Sequence, residues 1–271
     1  RRPVARAGGG VAVTLLRSAP LNGPAGYSAA QSIQTDSLTY APGAVPNGVA
    51  GRMEWVADPL GERGTVLRCQ FGAWTAESGG YGNRSEINFP NETVTAGNAA
   101  PRWYKWSCMI PLSGFIADDR YFSIAQIHDE PDGGDGGRWP NFILYAGMGE
   151  LLVMLPRTNP PTDGDSVGRV AARYPLVRDR WMDIQLGVNL SLETTGWIDL
   201  IIDGKLVLRE RNHGTAYDDV VGPWHKLGVY NIFKHAAPAS GIIAAVYFSA
   251  CEHHTPPYAP GATRVKSVQV P

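Results

Sequence analysis

The run Trp181-Met182-Asp183-Ile184-Gln185-Leu186-Gly187-Val188-Asn189, followed by Gly196-Trp197-Ile198-Asp199-Leu200-Ile201-Ile202-Asp203-Gly204-Lys205-Leu206-Val207-Leu208-Arg209, decides the fold class. In its first half Met182, Ile184, Leu186 and Val188 fall on one face, with Trp181, Asp183, Gln185 and Asn189 on the other. This period of two belongs to a strand buried on one side. Asp203-Gly204 between two β-rich runs reads as a two-residue hairpin turn.

Composition agrees with short strands and many turns. Gly and Pro together supply 53 of 271 residues, near 20% against roughly 12% on average. Charged residues are 18% and hydrophobic ones 44%, which argues against coiled coil, disorder and helix bundles. A net charge of −1 advertises neither nucleic acid nor an anionic membrane as a partner. No apolar run approaches the ~20 residues of a membrane-spanning helix. Cys69, Cys108 and Cys251 are too few and too scattered for a disulfide framework and lack zinc spacing, and their odd count leaves one thiol unpaired within the chain. The basic start, Arg1-Arg2-Pro3, lacks an apolar stretch of signal-peptide length, since Val11 to Leu16 is too short. Three glycosylation-type triplets, at Asn83, Asn91 and Asn189, are common enough by chance to decide nothing.

Residues 1–50 read as an N-terminal arm and wrapping segment, with one early strand at Val11–Leu16 and a short helix near Ser28–Ser37. Residues 51–271 read as the main domain. Strand signals fall at Glu54–Ala57, Thr65–Phe71, Arg84–Phe89, Arg102–Ile110, Tyr121–His128, Asn141–Ala146, Glu150–Leu155, Trp181–Asn189, Gly196–Ile202, Lys205–Arg209, Lys226–Phe233 and Ile242–Ser249. Thr263–Val270 is read as a closing strand. A dozen strands with one apolar face each predict an all-β protein: a two-sheet antiparallel β-jelly-roll sandwich, concanavalin A-like, with one sheet curved into a concave groove.

Three of these strands carry unusual polar faces. Arg84, Glu86 and Asn88 align opposite Ile87 and Phe89. Gln126 and His128 share a face. Lys226, Gly228 and Tyr230 align while Leu227 and Val229 point inward, and the missing side chain at Gly228 offers a place for a ligand to approach the sheet. A plain solvent face usually draws Thr, Ser, Lys and Glu, so this set is chemically more selective.

Arg84-Ser85-Glu86, Gln126-Ile127-His128 and Lys226-Leu227-Gly228-Val229-Tyr230-Asn231 resemble, in order, the three signature strands of jelly-roll polysaccharide lyases. The Lys-x-Gly-x-Tyr ending and the segment Gly196-Trp197-Ile198-Asp199 resemble the heparin lyase I and glucuronan lyase group. Ile232 stands where the alginate lyase pattern has Gln, and Ile87-Asn88 where many alginate lyases have a second Arg. The resemblance implies metal-independent β-elimination on a uronic-acid-containing polysaccharide, glucuronan- or glycosaminoglycan-like in preference to alginate. It implies an anionic polysaccharide as partner, no cofactor for the chemistry, and a secreted or extracellular location, alone or within a larger secreted or virion-associated protein. By the same resemblance Arg84 and Gln126 neutralise the substrate carboxylate and stabilise the enolate-like charge. Tyr230 serves as acid, or also as base for one stereochemistry, and His128 as base or carboxylate neutraliser. Lys226 lowers the tyrosine's pKa or binds substrate, with Glu86, Asn88, Asn231, Arg138 and Trp139 as further binding residues.

His128-Asp129-Glu130-Pro131-Asp132-Gly133-Gly134-Asp135-Gly136-Gly137 sets four carboxylates among glycines. It reads as a loop bordering the groove. A structural Ca²⁺ is conceivable there, although the spacing is not that of an EF-hand. Of Trp139, Tyr145, Trp181 and Trp224, Trp139 is placed best to stack on a sugar. Two rival readings are a non-catalytic lectin-like module, which has no need of the His128 and Tyr230 combination, and a glycoside hydrolase, for which the paired carboxylates are missing from Glu86-Ile87-Asn88-Phe89-Pro90-Asn91-Glu92.

Overall fold

The computed structural model describes residues 15–19, 32–35, 38–40, 52–72, 84–92, 94, 100–113, 120–133, 135–162, 167–231 and 242–254. Sixteen strands run through them in chain order: β1 (Leu15–Ala19), β2 (Ser32–Thr35), β3 (Leu38–Tyr40), β4 (Arg52–Ala57), β5 (Thr65–Gly72), β6 (Arg84–Asn88), β7 (Ala100–Met109), β8 (Tyr121–His128), β9 (Phe142–Gly147), β10 (Glu150–Pro156), β11 (Gly168–Pro175), β12 (Trp181–Leu190), β13 (Gly196–Ile202), β14 (Lys205–His213), β15 (Trp224–Tyr230) and β16 (Ile242–His254). They form two antiparallel sheets. One runs β14-β13-β12-β7-β16-β5-β4, with β1 also paired to β16; the other runs β11-β10-β9-β8-β15-β6-β2-β3. This is the expected jelly roll.

The core between the sheets is built from the inward halves of the alternating strands. Met182, Ile184, Leu186 and Val188 of β12 face Leu227 and Val229 of β15, Ile87 of β6, and Phe122, Ile124 and Ile127 of β8 within one buried cluster. Burying these inward side chains on both sheets holds their outward polar faces in place. Asp203 and Gly204 both adopt positive φ, +51° and +77°, as a type I′ hairpin turn requires.

One expectation needs correction. The segment read as a helix near Ser28–Ser37 contains β2, which pairs antiparallel with β6 so that Ile33 opposes Ile87 and Gln34 opposes Glu86. An open strand edge on β6 supplies backbone partners that local helix preference does not match. The described residues of this N-terminal region join both sheets, through β1 on β16 and β2 on β6. β11 had no reading in the sequence because its Arg169, Ala171 and Arg173 alternation carries few large apolar residues. The expected strand at Thr263–Val270 lies outside the described residues.

Leu186, fully buried in β12, tests the core. Leu186→Ala should cost about 2–5 kcal/mol, the range for a buried leucine that leaves a cavity. Val220→Ser, at a side chain 88% exposed, should stay within about 0.5 kcal/mol. Urea unfolding of both variants checks the contrast.

Candidate active site

The polar faces of β6, β8 and β15 share one side of the second sheet because these three strands are direct neighbours. β15 lies in the middle: Lys226 opposes Asn88 on β6 and Gln126 on β8, Gly228 opposes Glu86, and Tyr230 opposes Arg84 and Ser123. A cavity of about 350 Å³ opens above them, lined by Arg84, Gln126, His128, Gly137, Arg138, Trp139, Pro140, Lys226 and Tyr230. The register between β15 and β8 shifts between Leu227 and Tyr230, and Gly228 sits in that irregularity.

Gly228 serves packing rather than ligand approach. A Cβ there would lie 2.1 Å from the Ser85 carbonyl oxygen and 2.5 Å from Glu86 Cα. Neither is the end of a flexible chain, so the missing side chain brings β15 close against β6.

Glu86 lies in the floor, 2% exposed. Its Oε1 accepts a hydrogen bond from Gln126 Nε2, and its Oε2 lies 3.9 Å from Arg84 Nη1. Glu86 therefore orients Gln126 and Arg84 from beneath, and with Asn88 and Asn231, both buried, it is not among the cavity-lining residues. The sequence reading had placed these three against substrate. The Arg84 guanidinium stacks 4.1 Å from the Tyr230 ring centroid. It is this guanidinium, and not the Lys226 ammonium, that acts on the phenol. Burial raises the Tyr230 pKa and Arg84 opposes that rise, so Tyr230 is a protonated phenol at neutral pH. Lys226 instead lies 5.4 Å from the Trp224 ring. Burial lowers its pKa to about 8, with Glu86 pulling it back up.

His128 ends β8 at the cavity wall, and its Nδ1 lies in hydrogen-bond contact with the Asp129 carbonyl oxygen. A carbonyl only accepts, so Nδ1 carries the proton and Nε2 keeps its lone pair. Burial, Lys226 and the arginines Arg84 and Arg138 lower the His128 pKa to about 3. The ring is neutral and open to a proton at Nε2.

Of the carboxylates after His128, Asp135 turns onto a cation supplied by the chain itself, and Asp219, from farther along the chain, joins it. Arg138, its side chain 1% exposed, binds Asp219 at 2.8 Å and Asp135 at 2.6 Å and stacks on Tyr217 at 4.5 Å. Arg138 thus lines the cavity with its charge already compensated. Trp139 is fixed by its carbonyl, which accepts from the Tyr217 hydroxyl at 2.8 Å. Among the other aromatic candidates, Tyr145 is buried with Ile143 and Leu152 beneath Trp139. Trp224 stands 5.5 Å from the His128 ring. Trp181 donates to Asp58 at 3.0 Å and packs with Val66 and Met109 in a separate cluster, away from the cavity. Asp219 was missed by the sequence reading. It lies 81 residues from Arg138, and the surplus of carboxylates beside Arg138 was the signal that the loop holds an internal cation.

Residues 27–251 match the polysaccharide lyase family, and the chain belongs to it. Among solved structures, the endo-β-1,4-glucuronan lyase of the fungus Trichoderma reesei superposes with a TM-score of 0.61 at 19% identity, over 79% of this chain and 91% of that one. An alginate lyase of Pseudomonas aeruginosa gives 0.56 at 16% identity, over 84% and 99%. A carbohydrate esterase of the Shiga toxin-encoding bacteriophage phi24B gives 0.53 at 15%, over 91% and 100%. At such identities the likeness shows the fold. No curated protein sequence matches the chain.

Asp129 carries a pH prediction. It is fully buried and accepts from Asn141 Nδ2 at 3.2 Å and the Tyr217 N–H at 3.4 Å. Burial and the adjacent Asp219 carboxyl raise its pKa from 3.8 to about 7. The folded state binds this proton more tightly than the unfolded chain, so its stabilisation is complete in acid and is lost as pH rises from about 4 to about 7. Asp129→Asn keeps the neutral form at every pH. Unfolding free energies should therefore shift in favour of the Asn variant as pH rises across that window, and a constant difference would contradict the assignment.

Proposed function

We propose that this lyase cleaves a uronic-acid-containing polysaccharide by β-elimination, without a metal ion in the chemical step. The observation that carries the reading is one cavity joining Arg84, Gln126, a neutral His128 with Nε2 unprotonated, and a protonated Tyr230. Arg84 and Gln126 hold the uronate carboxylate and stabilise the negative charge that develops on it as the C5 proton leaves. His128 Nε2 takes that proton. The C5–H electrons form the C4–C5 double bond, the bond from C4 to the glycosidic oxygen breaks, and the Tyr230 hydroxyl protonates the departing oxygen.

A base with so low a pKa is weak in the empty site. Burial is the main cause of that low value, and the cations that add to it are the ones a bound carboxylate would neutralise, so substrate would restore part of the His128 basicity. Charge neutralisation by Arg84 and Lys226 supports a metal-free step. Among the described residues, the two groups of His, Cys, Asp or Glu spaced to hold an ion are Asp132, Asp135 and Asp219 and a set between the sheets; neither is made of cavity-lining residues. The Ile232 and Asn88 departures from the alginate pattern favour a glucuronan- or glycosaminoglycan-like substrate.

Incubation with glucuronan, heparin, hyaluronan and alginate, followed by ultraviolet absorbance of unsaturated uronate, tests the reading. Product should form from one of the first three in preference to alginate, and failure on all four polymers by folded enzyme would refute it. Tyr230→Phe should retain fold and substrate affinity while kcat falls about 10²–10⁴-fold, the range for loss of a general acid or base. A tyrosine that only stacks on sugar would tolerate Phe at near-normal rates. Brief chelation should leave turnover unchanged. Loss of rate in protein that stays folded would contradict a metal-free step.

A further inference from the structure

Between the two sheets, on the opposite face of β15 from the cavity, three metal-binding side chains converge. His225 comes from β15, and Cys251 and His253 come from the inward face of β16, where residues two apart share a side. Each is 1% exposed. Nδ1 or Nε2 of each histidine and Sγ of the cysteine lie within 4.8 Å of one another. His225 Nδ1 and His253 Nε2 are 3.3 Å apart.

The 3.3 Å spacing lets the two imidazoles share a hydrogen bond when no ion is present. It matches the edge between two nitrogens bound to one zinc, about 3.3–3.4 Å for tetrahedral bonds of about 2.0–2.1 Å. From this convergence we infer that His225, Cys251 and His253 form a site for a soft d¹⁰ cation, Zn²⁺ or Cu⁺, that clips the two sheets together.

The surroundings suit such an ion. Phe89 and Tyr104 stack on His225 at 5.5 Å and 4.7 Å, and Tyr104 meets His253 edge-on at 4.7 Å, so the imidazoles are fixed by aromatic walls. Binding displaces the Cys251 thiol proton to solvent and forms the metal–sulfur bond. Thiolate and imidazole together select Zn²⁺ or Cu⁺ over hard cations. Cu⁺ gives an uncharged three-ligand complex, which a dry core accommodates at the lower electrostatic cost. The site is structural and independent of the proposed elimination. His225 precedes Lys226 directly, and its carbonyl accepts from the Phe89 N–H at 2.9 Å, so the clip would set the seat of the β15 and β6 junction.

The test uses the full chain, folded with Zn²⁺ or, anaerobically, with Cu⁺, then desalted and assayed for metal content. Stoichiometric metal and a Tm above that of protein folded with chelator are expected, and the ion retained against a colorimetric competitor identifies Zn²⁺ or Cu⁺. Cobalt substituted at the site should show thiolate-to-metal charge-transfer absorption that Cys251→Ala abolishes. Cys251→Ala and His253→Gln should bring metal to background. Metal-free wild-type protein with the same Tm in both preparations would overturn the site without reliance on any variant, as would metal that both variants retain. Lyase turnover by metal-free folded protein leaves the two proposals separately decided.

Discussion

One buried carboxylate organises the site. Glu86, 2% exposed in the floor of the concave sheet, cannot be left unpaired at that depth without a large desolvation penalty. Its partners are Gln126, which donates to Oε1, and Arg84, 3.9 Å from Oε2, with Lys226 feeling its charge from the neighbouring strand. The positions of the groups proposed to bind the substrate carboxylate follow from this constraint. An arginine and a glutamine that would otherwise sample many rotamers are anchored from below, and both line the cavity. Gly228 allows the close approach of β15 and β6 on which this arrangement rests.

The same cations determine how the reacting groups titrate. Arg84 and Lys226 stand over Glu86, and burial together with the field of these cations keeps His128 neutral. Tyr230 is pulled two ways, upward by burial and downward by Arg84, and burial wins. Arg138 contributes least of the three cations that act on His128, and Asp135 and Asp219 already pair with it. In the proposed reaction a neutral base and a neutral acid flanked by cations suit an anionic polymer, whose carboxylate would complete the charge balance.

Much of this was legible in the sequence because strand alternation has a strict period. Once Ile87, Ile127, Leu227 and Val229 are read as inward, the faces of Arg84, Gln126, His128 and Tyr230 follow. Their meeting in one cavity required that β6, β15 and β8 be neighbours, and alternation does not encode neighbour order; the family resemblance did. Where the reading failed, long-range partners were responsible. β2 became a strand through pairing with β6, Asp219 reached Arg138 across 81 residues, and the phenol's cation proved to be Arg84 across the ladder rather than Lys226 on the same strand. His225 attracted no attention because its neighbours in chain carry the polar face, and its own role lies on the other side of the sheet.

The account turns on His128 being neutral, with its proton on Nδ1. Nitrogen-15 NMR of the imidazole, recorded on the free protein across pH, measures both properties directly. The account predicts a protonated Nδ1 and a bare Nε2 that stay unchanged from neutral pH down to well below 6.5, the ordinary histidine value. A proton on Nε2, or titration near 6.5, would contradict it.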